Sequence, residues 1–261
     1  MKAVNHQFYS GTSGLVLPVP NKQAFPPEYK NKSRLTYYAS LFNSLEVNSS
    51  FYKIPMAATV KRWAAEVPDT FQFTFKLFRE ITHNKGLEFD KSLVERFMTI
   101  INGTGNKKGC LLVQFPASTT INLPQLKKLL SCIQKFNKKP AWNISVEFRH
   151  TSWYCSDTYQ LLQKHNAGMV IHDMPKSATP SILPWTKFIY LRYHGQAGDY
   201  RGSYSIDFLQ QQATMTTGWI KAGHIVYAYF NNTIGDAVSN VADITRLVAS
   251  PQPNPQPHKG G

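Results

Sequence analysis

Short apolar runs and segments of helical pitch alternate along this chain from end to end, and that alternation limits the folds open to it. The runs are FYSGTSG from Phe8, Ser44 to Asn48, Phe71 to Leu77, Cys110 to Pro116, a run ending at Arg149, Gly168 to Asp173, a run ending at His194 and one ending at Asn231. Helical patterns fall around Ser33 to Phe42, Thr59 to Glu66, Lys91 to Asn102, Leu123 to Phe136, Ser152 to His165, Ser205 to Trp219 and Ala237 to Leu247. Strict strand–helix alternation predicts a parallel sheet with helices covering it. Eight such units in 261 residues predict an α/β fold of the (β/α)8 barrel type, a closed parallel sheet inside a ring of helices. The sixth unit is the weak step, because a proline-rich loop stands where a helix belongs. The expected division is one barrel domain over residues 1–249 and a Pro-rich polar tail, PQPNPQPHKGG, within 250–261.

Side chains alternate between the two faces of a strand, so each run can be split by parity. In ISVEFRH, Val146 and Phe148 share one face while Glu147 and Arg149 share the other. In IYLRYHG, Ile189, Leu191 and Tyr193 oppose Tyr190, Arg192 and His194. The inner set so assembled is Thr12, Glu46, Asn48, Thr74, Lys76, Gln114, Glu147, Arg149, Arg192, His194 and Asn231. Asp173 stands at a strand end, but the period does not fix its face. Charged groups on the inner face of a buried strand cost several kcal/mol unless paired. Clustered near strand C-termini, they predict one polar mouth where barrel active sites lie.

The residue types suggest roles. Lys76, Arg149 and Arg192 suit an anionic group, arginine as a fork and lysine as a point charge. Glu46 and Glu147 are candidate carboxylates for acid/base work, with His194 as a proton shuttle. Asn48, Asn231 and Asn232 can orient a ligand, Asp173 joins the binding set, and Tyr200 and Tyr204 sit in the polar loop QAGDYRGSYS. Carboxylate neighbours are expected to raise the pKa of Lys76, which argues against its use as an imine-forming amine. A paired ionic network without catalysis remains the competing account of the same charges.

Net charge is +14, from 29 Lys+Arg against 15 Asp+Glu. That favours small anionic ligands or nucleic acid as partners. Glu46, Glu147, His172, Asp173 and His194 are legitimate metal-ligand types. No HxH or HExxH spacing occurs, however, and the neighbouring cations would repel a divalent ion. No metal site is therefore assigned, and the absence of GxGxxG and P-loop motifs leaves no cofactor identified. Cys110, Cys132 and Cys155 form no CxxC pair, which fits a reduced, cytoplasmic setting. No apolar run reaches the roughly 18 residues of a membrane span. Oligomeric state is not readable.

The motifs GTSG, FNSLEVNSSFY, FTFK, QFP, VEFRHTSW, YLRYHG and YFNN, in this order, resemble the DUF72 (YecE-like) family from about Tyr9 to Leu247. The resemblance implies a TIM-barrel fold. On fold grounds it also implies a distant kinship to metal-dependent barrel nucleases of the endonuclease IV type, but no particular reaction. The family usually has a Trp after GTSG, where this chain has Leu15, Val16 and Leu17. The leading functional expectation is an enzyme acting on a phosphorylated or nucleotide-like anion. Alternatives are a nucleic-acid-binding protein or metal-dependent nuclease, and a non-catalytic binding protein. On the first reading, Arg192→Ala abolishes ligand protection and leaves the fold intact.

Overall fold

A computed structural model describes residues 7–137, 139, 141–180 and 185–250. The polar tail, residues 251–261, and part of the sixth crossover, residues 181–184, lie outside the described residues. Eight strands form the barrel: β1 Phe8–Thr12, β2 Ser44–Val47, β3 Gln72–Lys76, β4 Lys108–Gln114, β5 Asn143–Glu147, β6 Gly168–His172, β7 Phe188–Tyr193 and β8 Ile225–Phe230. From β2 to β8 each strand pairs in parallel with the next, and β8 pairs with β1. The outer ring comprises α1 Arg34–Leu41, α2 Ala57–Ala65, α3 Lys91–Ile101, α4 Leu123–Phe136, α5 Ser156–Lys164, α6 Ile206–Lys221 and α7 Ala237–Ala249. Several helices start on a side-chain cap that the sequence supplies. Ser33, Asp90, Asn122 and Ser205 each accept a hydrogen bond from a backbone N–H of the first turn.

Closure between β1 and β2 is made largely by side chains. One backbone bridge joins Ser13 to Glu46. Below it, Asn43 accepts from Ser10 N at 2.9 Å and donates to Phe8 O at 2.8 Å. The Tyr38 hydroxyl accepts from Thr12 N at 2.7 Å and donates to Ser44 O at 3.1 Å. Gly11 is required at this seam, since a Cβ there would lie 2.0 Å from Ser44 O. The same contacts correct the parity of the first strand. Thr12 faces α1 through Tyr38 and Ser10 faces Thr245 of α7, so Tyr9, Gly11 and Ser13 face the interior.

Elsewhere the period holds. Phe73, Phe75, Val113, Val146, Phe148 and Leu191 point outward into the core shared with the helices. Tyr9, Cys110, Leu112, Val170, Phe188, Tyr190, Tyr227 and Tyr229 fill the barrel interior. The Tyr229 hydroxyl is satisfied there by Ser44 at 2.6 Å and Thr74 at 2.7 Å. Trp153, at zero exposure, stacks on Phe148 and Phe115 rather than on any open surface. Between β6 and β7 the described residues contain no helix, in keeping with the proline-rich sequence there. Thr179 ties this crossover to β6 by donating to Val170 O at 2.9 Å and accepting from His172 N at 3.1 Å. Among the described residues no helix is long and apolar enough to cross a membrane.

Candidate functional site

A layer of charged side chains closes the barrel above its aromatic filling. At its centre Arg192, on β7 and 1% exposed, makes a fork to Glu46 through Nε at 2.9 Å and Nη2 at 2.7 Å. Its Nη1 donates to Glu147 Oε2 at 2.8 Å and to His194 Nε2 at 3.1 Å. The remaining Nη2 proton has only a long 3.5 Å contact to Ser13. Glu46 also accepts from Ser13 at 2.6 Å and from the Tyr190 hydroxyl. Arg149 Nε donates to the other oxygen of Glu147, and its Nη2 donates to His194 Nε2 at 2.9 Å. Two guanidinium groups against two carboxylates, with hydrogen bonds at nearly every position, make such burial tolerable.

These contacts fix the protonation states. Burial pushes the carboxyls of Glu46 and Glu147 upward, but the opposing charge of Arg192, joined by Arg149 at Glu147, outweighs it and holds both below the usual range. Burial lowers His194 to about 4 despite its bond to Asp173. His194 is therefore neutral at pH 7, with Nδ1–H donating to Asp173 Oδ1 at 3.1 Å and the Nε2 lone pair facing the two arginines. Glu46, Glu147 and His194, expected as acid/base groups, lie inside this network. All three have zero exposure, and their polar atoms are engaged by neighbours that hold the arginines in place. Arg192, expected as part of an anion clamp, lines the smaller cavity with its donors directed to Glu46, Glu147, His194 and Ser13.

Above this layer lie two lobes that share Tyr200 in their walls. The smaller, about 240 Å³, is lined by Asn48, Phe51, Tyr52, Lys76, Tyr200 and Asn231, with Arg192 at its floor. The wider, about 480 Å³, includes Gln114, Arg149, Lys176, Ser177 and His83 in its wall. Lys76, at the end of β3, projects Nζ to 4.2 Å from the centroid of the Phe51 ring. No hydrogen bond or ion pair engages it among the described residues. Burial and then the charge of Arg192 lower its pKa to about 8, against the pull of Glu147 and Glu46. The expected rise is thus reversed, because both carboxylates are already neutralised by arginines. Asn48 Oδ1 is buried without a hydrogen-bond partner. Arg149 has its Nη1 unengaged among the described residues.

Tyr200 is 38% exposed and has φ +66, a left-handed conformation rare for a tyrosine. It is pinned by its own N–H to His194 O at 2.8 Å and by Ile234 N to its carbonyl at 3.0 Å. The other expected contacts are placed elsewhere. Tyr204 is buried, donating to Asp173 and accepting from Gly195 N at 2.6 Å, so it braces the β7 loop instead of facing a ligand. Asp173 is absorbed by Tyr204 and by both the backbone and the ring of His194. Asn232 has zero exposure and spends its amide on Gly202 O and Asn240, both at 2.9 Å. Ser13 and Tyr190 were not anticipated as members of the charged layer. The parity of Arg192 already placed Tyr190 on the right face.

Among the described residues no group of three or more His, Cys, Asp or Glu side chains is arranged to hold a metal ion. The carboxylates a divalent ion would need are engaged by guanidinium groups, so the donor set does not fit a metallonuclease centre.

The fold and its mouth define a (β/α)8 barrel protein with a charged layer at the C-terminal ends of its strands. The chain belongs to the family described as protein of unknown function DUF72, which it matches over residues 9–260. It is 29% identical over 187 residues to UPF0759 protein YunF of Bacillus subtilis, covering 66% of this chain and 65% of that one, so it spans less than two thirds of that relative. A DUF72 family protein of Enterococcus faecalis has the same fold, with TM-score 0.74, 17% identity and coverage of 96% of this chain and 99% of that chain. So has one from Thermotoga maritima, with TM-score 0.70, 23% identity and coverage of 94% and 100%.

Proposed function

We propose that the barrel mouth binds a small ligand carrying a phosphate or carboxylate group, and that the protein acts on that ligand as a barrel enzyme. The observation that carries this reading is the unpaired ammonium of Lys76. It lies largely out of water beside the charge of Arg192, and among the described residues no anion pairs with it. A cation in that setting is stabilised by an anion from outside. Arg149 Nη1, at the wall of the wider lobe, is the second donor available to it. Glu46, Glu147, Asp173 and His194 serve as the rigid support that aims these cations, which is what a positioned anion site needs.

A binder of the native state raises the melting temperature by mass action. Inorganic phosphate and phosphorylated metabolites are expected to protect the wild type, and Lys76→Met and Arg149→Met to lose most of that protection. Equal protection of wild type and both variants would overturn the reading. The net charge of +14 favours a second reading, nucleic acid on the exterior. It predicts oligonucleotide affinity that falls steeply with salt and is indifferent to Lys76→Met.

A further inference from the structure

We propose that Lys76 is the amine nucleophile of this mouth, and that its Nζ forms an imine with an anionic aldehyde or ketone whose acid group is held toward Arg149. The inference rests on the anion-site reading and names the substrate class for it.

Four features of the site converge on carbonyl chemistry. Lys76 ends β3, with its backbone carbonyl fixed by the Ser50 hydroxyl at 2.7 Å, so the side chain springs from a rigid point. Its Nζ opens into the smaller lobe over the face of Phe51, and no carboxylate or carbonyl ties it down. Lys107, by contrast, is held as a structural cation by donating to Ala64 O at 2.7 Å and Val67 O at 2.6 Å, whereas Lys76 Nζ contacts the Phe51 ring face. With its pKa at about 8, roughly a tenth of Lys76 is the free amine at pH 7, against about 0.03% for an ordinary lysine. Asn48, lining the same lobe, offers a buried Oδ1 with nothing bonded to it. Turned toward the lobe, that amide would offer an acceptor to a hydroxyl formed during the reaction.

The step balances without a co-reactant. The Nζ lone pair of the free amine attacks the carbonyl carbon as the C=O π bond breaks, and one Nζ proton passes to the oxygen to give the neutral carbinolamine. Asn48 Oδ1 accepts a hydrogen bond from its hydroxyl. The hydroxyl takes up one proton from solvent, equal to the one the ammonium released, the C–O bond breaks and water leaves, giving the protonated imine. That ion carries the same single positive charge as the ammonium it replaces, so Nζ is neutral at the free-amine and carbinolamine stages and ends with the charge it began with.

The test is reductive trapping on the full chain. Protein is incubated with glyoxylate or glycolaldehyde phosphate, reduced with cyanoborohydride and mapped by peptide mass spectrometry. One adduct is expected, at Lys76, formed at least tenfold faster than at any exposed lysine, with a rate that rises through a midpoint near pH 8. Lys76→Arg, which keeps the charge, is expected to lose it, while Lys53→Arg keeps it. Thermal shift with inorganic phosphate on the same samples separates the two claims. Phosphate protection with labelling spread over surface lysines overturns the amine assignment and leaves the anion site standing. Loss of both phosphate protection and the Lys76 adduct overturns both. If Lys76→Arg fails to fold, the pH profile of wild-type labelling decides: a midpoint near 10.5 overturns the proposal.

Discussion

Replacing Arg192 by methionine perturbs the centre of the charged layer, and its cost follows from the contacts. The side chain is 1% exposed and satisfies two carboxylates that have no exposure at all. Without it, Glu46 keeps only Ser13 and Tyr190, and Glu147 keeps only Arg149 and a distant His194. Removing one partner of a buried ion pair costs about 3–5 kcal/mol, a third or more of the stability of many domains. Arg192→Ala is therefore expected to lower stability as well as to alter the site. The pH dependence carries the sharper test. In the wild type the two carboxyls are held low, so their contribution is present above about pH 4.5 and lost as pH falls through their folded values. In Arg192→Met burial prevails and the carboxyls move up. The folded variant then binds protons before the unfolded chain does and gains stability as pH drops from 7 towards 5. Urea unfolding at both pH values is the assay. The gap between wild type and variant is expected at about 3–5 kcal/mol at pH 7 and narrower at pH 5. Adding Glu46→Gln to the variant should recover part of it. A gap under about 1 kcal/mol, or one that widens on acidification, would refute the reasoning.

Further expectations concern the supports of the site. His194, neutral in the folded protein with a pKa of about 4, resists a proton that the unfolded chain accepts near 6.5, so it weakens the fold as pH falls through that window. The loss approaches about 3 kcal/mol, and His194→Gln should flatten the stability curve between pH 6.5 and 4; an unchanged curve counts against the assignment. Gly11→Ala sets a methyl against Ser44 O at the β1–β2 seam and should cost about 3 kcal/mol or more. A melting temperature equal to the wild type would contradict the seam. Tyr204→Phe strips a hydrogen bond from Asp173 and one from Gly195 N, and should cost about 2 kcal/mol with anion affinity nearly unchanged. A large loss of affinity at unchanged stability would return Tyr204 to the ligand.

The barrel was legible because two periodicities agree across the chain. Helical pitch marked the outer ring, and the period of two put Glu147 and Arg192 inside while Val146 and Leu191 faced the helices. It failed on β1, where small residues occupy both faces and the polar Thr12 looked inward by composition, whereas Gly11 and Ser13 do so by contact. It was also silent on roles. Whether Arg192 has a free donor depends on five contacts, to Glu46 and Glu147 on two strands and to Ser13 and His194 just past the ends of two others, and no local pattern encodes that sum. Tyr200 and Tyr204 stand four residues apart in one polar loop, yet a left-handed turn at Tyr200 opens one to the lobes and buries the other on Phe208. Asn231 and Asn232 part in the same way, adjacent in sequence but on opposite sides of a turning backbone.

The state of Lys76 is the point on which the whole account turns, and NMR titration of the lysine ε-carbons in uniformly 13C-labelled protein reads it directly. Lys76→Met assigns the resonance. The account predicts a midpoint near pH 8 in the free protein, moving upward when inorganic phosphate fills the mouth. A midpoint near 10.5 that phosphate does not move would contradict it.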